Sequence, residues 1–146
     1  MKAILFVFFV LISLPAIANR KGLGISLGNP TGLNGKYWLD NKSAIDAGFG
    51  MSFGKNTDAS LHSDYLLHNE GALFLNDVYP LDLYYGIGGR MEFSDDIELG
   101  VRVPVGLSHT VENGSSDIFA EIAPVFDFLS STGVELHFLF GARYYF

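Results

Sequence analysis

Two short groups of residues carry the side chains that a hydrolytic site needs. His62-Ser63-Asp64 and Ser108-His109 each place a hydroxyl beside an imidazole, and the first group adds a carboxylate. A serine, a histidine and an acid held together form the catalytic group of many acyl hydrolases and transferases. Neighbouring residues of a strand point to opposite faces, so His62 cannot readily activate Ser63, although it can meet Asp64. We therefore expect no catalytic residue and no enzyme activity here.

The same residues include side chains that bind metals. His62 and Asp64 share one face of a strand, with His68 further along it, and imidazole and carboxylate groups are common zinc ligands. The chain has 4 histidines without a recognised ligand spacing, and 0 cysteines. We expect no metal site and no other cofactor.

β-Strands must position these side chains, because the dominant pattern from Lys21 onward has a period of two. Between Ile97 and Ser108 every second residue is apolar, and Glu98 and Arg102 stand on the other face. The connection from Asn69 to Pro80 contains Leu73-Phe74-Leu75, so a strand is expected to continue through part of it. We predict eight strands: Gly22–Gly28, Gly32–Leu39, Ala44–Phe53, Ala59–His68, Leu81–Glu92, Ile97–Ser108, Asp117–Asp127 and Val134–Phe146.

Composition agrees with a single all-β domain. The chain has 146 residues, 14% of them aromatic, and 17 glycines, which favours strands and tight turns over helices. A net charge of -7 offers no basic surface for a nucleic acid. The lack of cysteine excludes disulfides and a lipidated cysteine anchor.

The first residues resemble an export signal. Lys2 precedes an apolar run from Ala3 to Leu14, and Ala16-Ile17-Ala18 provides a cleavage site. We predict a signal peptide over residues 1–18 and a mature domain over 19–146. The alternative, an uncleaved anchor, needs a longer run of roughly 18 to 20 residues. No later stretch is long and apolar enough to span as a helix, so a membrane form must be a barrel.

The polar face of the strands indicates which side faces lipid. A soluble barrel also alternates, but its exterior carries many lysines and glutamates. Here the polar face is dominated by glycine, including Gly48, Gly88, Gly100 and Gly106, which suits a narrow lumen. We therefore predict a single eight-stranded antiparallel up-and-down transmembrane β-barrel with its apolar face outward.

Aromatic residues near the strand ends suggest the two girdles that a bilayer favours. One end would carry Tyr37, Trp38, Tyr79, Phe119 and Tyr144–Phe146, and the other Phe49, Phe53, Phe93, Phe126 and Phe128.

Charged residues on the polar face need partners inside such a barrel. When each strand is paired antiparallel with the next one across the turn, Arg90 lies near Glu98 and Arg102 near Glu121. We predict a lumen ion-pair network that plugs the barrel, formed by Asp64, Arg90, Glu98, Arg102, Glu121, Glu135 and Arg143. The alternative role of these charges is a path for protons or ions, although eight strands leave room for side chains rather than an open channel.

The last strand resembles the carboxyl-terminal assembly signal of bacterial outer-membrane barrels. Apolar side chains recur at every second position up to the final residue, with Phe138, Phe140, Tyr144 and Phe146 as the aromatic members. The resemblance implies recognition by the outer-membrane barrel assembly machinery.

Further motifs resemble a family of small, uncharacterised outer-membrane β-barrels of bacteria. They are Gly28–Leu33 with Lys36, Tyr84–Arg90, Arg102–Leu107, Glu121–Pro124 and Arg143–Phe146, spread over nearly all of the mature chain. The resemblance implies a fold and a location in the outer membrane of a Gram-negative bacterium, and it supplies no catalytic residues.

The expected function is therefore an integral outer-membrane barrel with a structural, envelope or interaction role. A narrow pore for small solutes or ions is the alternative, followed by a lipid-acting enzyme. The expected partners are the lipid bilayer and the assembly machinery, with no nucleic acid. The sequence does not define an oligomeric state.

Overall fold

The computed structural model describes residues 20–53, 57–111, 114–129 and 132–146. The predicted signal peptide, residues 1–18, lies outside the described residues. Within them, no helix is long and apolar enough to cross a membrane. The strands are β1 (Lys21–Gly28), β2 (Thr31–Trp38), β3 (Ser43–Phe53), β4 (Thr57–Leu75), β5 (Tyr79–Phe93), β6 (Ile97–Arg102), β7 (Val105–Thr110), β8 (Ser116–Asp127) and β9 (Gly133–Tyr145).

These strands form one closed antiparallel ring. Strands β1 to β5 each pair with the next in sequence, β6 and β7 both pair with β5 on one side and β8 on the other, and β8 pairs with β9. β1 also pairs with β9, from Gly22 opposite Tyr145 to Gly28 opposite Leu139. The pairing of the first described strand with the last closes the ring, as in other up-and-down barrels. The structure confirms the predicted all-β, up-and-down barrel.

The two shortest strands, β6 and β7, form one crossing of the barrel wall. Pro104 separates them because proline has no amide hydrogen to donate to the ladder. The register against β5 and β8 continues unchanged through the break, and Val103 N–H still donates to the Pro124 carbonyl at 3.0 Å. The predicted segment Ile97–Ser108 is therefore a single crossing, so nine strand segments make an eight-stranded wall.

Burial follows the alternation that the sequence predicts, with apolar side chains outside and polar side chains inside. On the central crossing Val101 is 37% exposed, whereas Arg102 is 0% exposed. A small apolar cluster also lies inside, made of Leu66, Tyr84, Phe119 and Leu139. Because the outer wall carries most of the large apolar side chains, this barrel is inverted relative to a water-soluble one.

Three predicted girdle positions are wrong: Phe119, Tyr145 and Trp38. The Trp38 ring lies against the buried Lys36 and His68. Phe119 is only 7% exposed and Tyr145 only 5%, so both point into the barrel instead of joining an outer girdle. Both stand at inward positions of β8 and β9, where their rings fill the lumen beside Arg143. Tyr79, Phe93, Phe126, Phe128, Tyr144 and Phe146 are exposed.

β4 continues past His68 to Leu75, which confirms the strand expected from Leu73-Phe74-Leu75 and makes the hairpin of β4 and β5 longer than the predicted segment Ala59–His68. A register shift between Asn69 and Leu73 marks a bulge, which lets pairing resume after the alternation is broken. Since β3 pairs with β4 only as far as Leu67, the end of the hairpin extends beyond this neighbour.

The turn between β2 and β3 is held by one carboxylate. Asp40 Oδ1 accepts hydrogen bonds from the backbone N–H groups of Lys42 and Ser43, both at 2.7 Å, and Oδ2 accepts the Ser43 hydroxyl at 2.6 Å. Such an Asx turn replaces backbone pairing where the chain reverses. The Ser43 hydroxyl, followed by the two backbone N–H groups, lowers the pKa of exposed Asp40 below its usual value.

This turn should lose its contribution to stability at acid pH. A carboxylate whose pKa is lowered by folding stabilises the fold above its unfolded pKa, and this effect is lost as pH falls through the lowered pKa. We expect Ser43→Ala to raise the pKa of Asp40 towards the ordinary value, as measured by NMR titration of the carboxyl carbon. The same pKa in both proteins would contradict the assignment.

Candidate functional site: a charged lumen

The inward face of the barrel is unusually rich in ionisable residues, and they gather in four groups. Each group is centred on one cation: Arg90, Arg102, Arg143 or Lys36. All four cations are buried. Because buried charges need compensation, the contacts of each cation define what the lumen can do.

Arg102 is at the centre of the lumen. Its Nε donates to both oxygens of Asp64, at 3.1 and 2.9 Å, and its Nη2 donates to Glu121. The Tyr84 hydroxyl donates to the other oxygen of Glu121 at 2.9 Å. Arg102 is thus held between two carboxylates from strands on either side of it, which ties β4, β6 and β8 together across the interior.

Arg90 carries the largest set of carboxylates. Its guanidinium lies 3.2 Å from Glu92, 3.6 Å from Glu98, 3.1 Å from Asp127 and 2.8 Å from Glu135. It also donates to His137 Nε2 at 3.1 Å. Glu135 is the most exposed member, which places this group near one mouth of the barrel.

Arg143 and Lys36 lie nearer the opposite end. Arg143 Nε donates to Asp117 Oδ1 at 3.0 Å, and the Tyr145 hydroxyl donates to Asp117 Oδ2 at 2.7 Å. The Lys36 amine donates to His68 Nε2 at 2.7 Å. Its nitrogen also stands 4.4 Å from the centroid of the Trp38 ring, a cation–π distance.

Glycines between charged residues make these contacts possible. Gly88 is the ladder partner of both Asp64 and Arg102, and Gly100 is the partner of both Arg90 and Asp127. A Cβ on Gly100 would lie 2.6 Å from Asp127 Oδ1. Because the glycine has no side chain, an arginine on one flanking strand and an aspartate on the other can meet over it.

The predicted network residues all lie on the inner wall, but in separate groups. Asp64, Arg102 and Glu121 form one group. Arg90, Glu98 and Glu135 form another. Arg143 joins neither, and its partner Asp117 was not among the predicted residues. Strand alternation could have identified both missed residues. Asp117 lies on the same face of β8 as Glu121, and Lys36 lies on the inward face of β2.

The serine and histidine pairs do not form a hydrolytic site. Ser63 faces outward and donates to the Asp46 carbonyl at 3.0 Å, whereas His62 faces the lumen. Ser108 is buried in the lumen, and His109 Nδ1 instead lies 2.9 Å from the Pro80 carbonyl. Neither serine therefore has its neighbouring histidine as a base.

The predicted assembly residues lie together on the outer face of β9. Phe138, Phe140, Tyr144 and Phe146 are all exposed. With Ala142 between Phe140 and Tyr144, they form an apolar stripe along the outer face of β9 and the residue after it, on the side of the wall opposite to Arg143.

The structural comparison agrees with the barrel geometry. No family model and no curated protein matches the chain. Among solved structures, the chain is similar to the N-terminal β-barrel domain of Pseudomonas aeruginosa OprF. The TM-score is 0.69 at 12% identity, over 88% of this chain and 99% of that chain. At this identity the likeness concerns the fold: this chain has the fold of that barrel domain.

Proposed function

We propose that the chain is an integral protein of the bacterial outer membrane, exported through a cleaved signal peptide. Its role is structural or interactive within the cell envelope, and it is not an enzyme. The single observation that carries the proposal is the inverted wall, with Val101 outside and the fully buried Arg102 inside. An exterior of exposed leucine, isoleucine and phenylalanine suits hydrocarbon and would be unfavourable in water.

The lumen supports a closed barrel rather than a conduit. Arg102 bridges to Asp64 and Glu121 across the interior, and Arg90 is surrounded by carboxylates near one mouth. An eight-stranded wall encloses only enough space for its own side chains. In this proposal the ion pairs stiffen the barrel and exclude solutes.

The proposed partners follow from the outer surface. The bilayer contacts the apolar wall, and the barrel assembly machinery recognises the apolar stripe of β9. The net charge of -7 disfavours a nucleic acid as a partner.

Location and folding can be tested in one preparation. We expect the protein in the outer-membrane fraction of cells that express it. We also expect an electrophoretic mobility that changes on boiling, because an intact barrel resists detergent and migrates differently from the unfolded chain. A protein released in the soluble periplasmic fraction would contradict the proposal.

A narrow ion pore is the second candidate. The amide of Asn34 and the hydroxyl of Ser60 are buried in the lumen without a protein hydrogen-bond partner in the described ranges, and such atoms are usually hydrated. Planar-bilayer recordings separate the candidates. The closed barrel is expected to give no conductance steps, and steps lost on chemical denaturation would support the pore.

A further inference from the structure

A second cluster of inward residues lies beside the Arg102 group and is only partly used by it. Asp46 on β3 and Asp64 on β4 are direct cross-strand partners, and His62 is two residues before Asp64 on the same face. Asp46 and His62 are each 6% exposed and Asp64 1%. One ligand atom from each residue lies within 4.8 Å of those from the other two.

The charges of this cluster are incompletely compensated by protein. Like charges placed directly opposite one another on paired strands repel. Arg102 neutralises Asp64 but is shared with Glu121, and Lys36, the ladder partner of Asp46 on β2, has its amine bonded to His68. Asp46 Oδ1 and His62 Nδ1 have no hydrogen-bond partner among the residues that the structure describes. A buried carboxylate oxygen and a buried imidazole nitrogen thus remain available as ligands.

The position of the imidazole depends on a glycine. Gly48 is the ladder partner of His62, and a Cβ at this position would lie 2.9 Å from His62 Nε2 and closer still to Cε1. The ring therefore rests against the wall next to the two carboxylates. Asn34, the ladder partner of Gly48 on β2, is also buried with both amide atoms unpartnered within the described part of the chain.

We propose that Asp46, His62 and Asp64 form a binding site for one first-row transition-metal dication, such as Zn²⁺, in the barrel lumen. One imidazole nitrogen with carboxylate oxygens is a ligand set that zinc accepts, and it suits transition metals better than the all-oxygen preference of calcium or magnesium. Zinc ligands at ~2.0–2.1 Å stand roughly 3.4 Å apart in a tetrahedron, so the side chains must move inward by about 1 Å. Asn34 or water completes the coordination.

The sequence predicted no metal site. It provides no register that joins ligands from two paired strands. Only the register between β3 and β4 brings Asp46 to the His62–Asp64 pair. The proposal is independent of the barrel's location, since it concerns only the folded lumen.

The test uses the full mature chain, refolded in detergent with Zn²⁺ and freed of excess metal by gel filtration. We expect one zinc per chain by elemental analysis, and a visible absorption spectrum of tetrahedral type when Co²⁺ replaces it. His62→Gln and Asp46→Asn should each weaken zinc affinity at least tenfold, measured by competition with a chromogenic chelator.

Matched controls separate this site from adventitious binding. His137→Gln changes another lumen histidine and His109→Gln one that contacts Pro80, and both should retain zinc. Heat-modifiable mobility checks that each variant folds. Less than stoichiometric zinc in the folded wild type would overturn the proposal, as would equal affinity in the wild type and in folded His62→Gln.

Discussion

Replacing Arg102 with alanine is expected to lower the free energy of unfolding by about 3–5 kcal/mol. The guanidinium is fully buried and bonded to both Asp64 and Glu121. Its removal leaves two carboxylates facing each other in a space that water enters poorly, which is costly for each of them. The measurement is the urea midpoint for refolding in detergent micelles, followed by circular dichroism.

Two further variants distinguish the loss of charge compensation from the loss of packing. Arg20→Ala removes a partly exposed arginine near the strand ends that donates to the Leu39 carbonyl, and it should change stability by less than about 0.5 kcal/mol. The triple variant Arg102→Ala, Asp64→Asn, Glu121→Gln should recover part of the stability, because it removes the uncompensated charges. An unchanged urea midpoint in Arg102→Ala would contradict the ion-pair account. If the triple variant is as unstable as the single one, the lost volume of the arginine side chain alone explains the effect.

The sequence predicted the barrel because one physical rule governs nearly every crossing. A wall with lipid on one side and a packed lumen on the other requires strict alternation, as in β8, where burial alternates from Asp117 to Asp127. The rule failed only where the wall ends. Past His68, the bulge before Leu73 breaks the alternation, so periodicity alone could not locate the end of β4.

The lumen contacts were only partly predictable from the sequence. Folding one strand back on the next at their turn identifies neighbours on adjacent strands only. It placed Glu98 near Arg90. It could not identify Asp64 as a partner of Arg102, because β4 and β6 are not adjacent. The two side chains meet across Gly88 of the strand between them. Glu135 reaches Arg90 from across the lumen, 45 residues away in sequence. These contacts depend on side-chain length and on the narrowness of the barrel.

Inward glycines are the missing signal. Gly106 is the ladder partner of both Tyr84 and Glu121, whose side chains bond across it at 2.9 Å. The same arrangement recurs with Gly88 and Gly100. In a small barrel, a glycine at an inward position therefore predicts contact between the residues of its two flanking strands. Once the strand register is known, this rule predicts the contact between Asp64 and Arg102 from the sequence.

Introducing arginine at Val101 is expected to destabilise the barrel in lipid vesicles by about 2–4 kcal/mol. Val101 is exposed on the outer wall, near the end of β6, and lies about midway along the combined β6–β7 crossing. In a bilayer this position lies near the hydrocarbon midplane, where a guanidinium loses its hydration. Refolding into phosphatidylcholine vesicles at a series of urea concentrations measures the change.

Ile97→Arg provides the matched control, because it introduces the same side chain on the same outer face. Ile97 begins the crossing, next to the turn at Ser94–Asp96, so the arginine reaches the interface and should cost only about 0–1 kcal/mol. The difference between the two positions depends on depth, which exists only if hydrocarbon surrounds the wall. In a water-exposed barrel both arginines would be solvated, and equal effects at Val101 and Ile97 would show that the apolar face does not meet lipid.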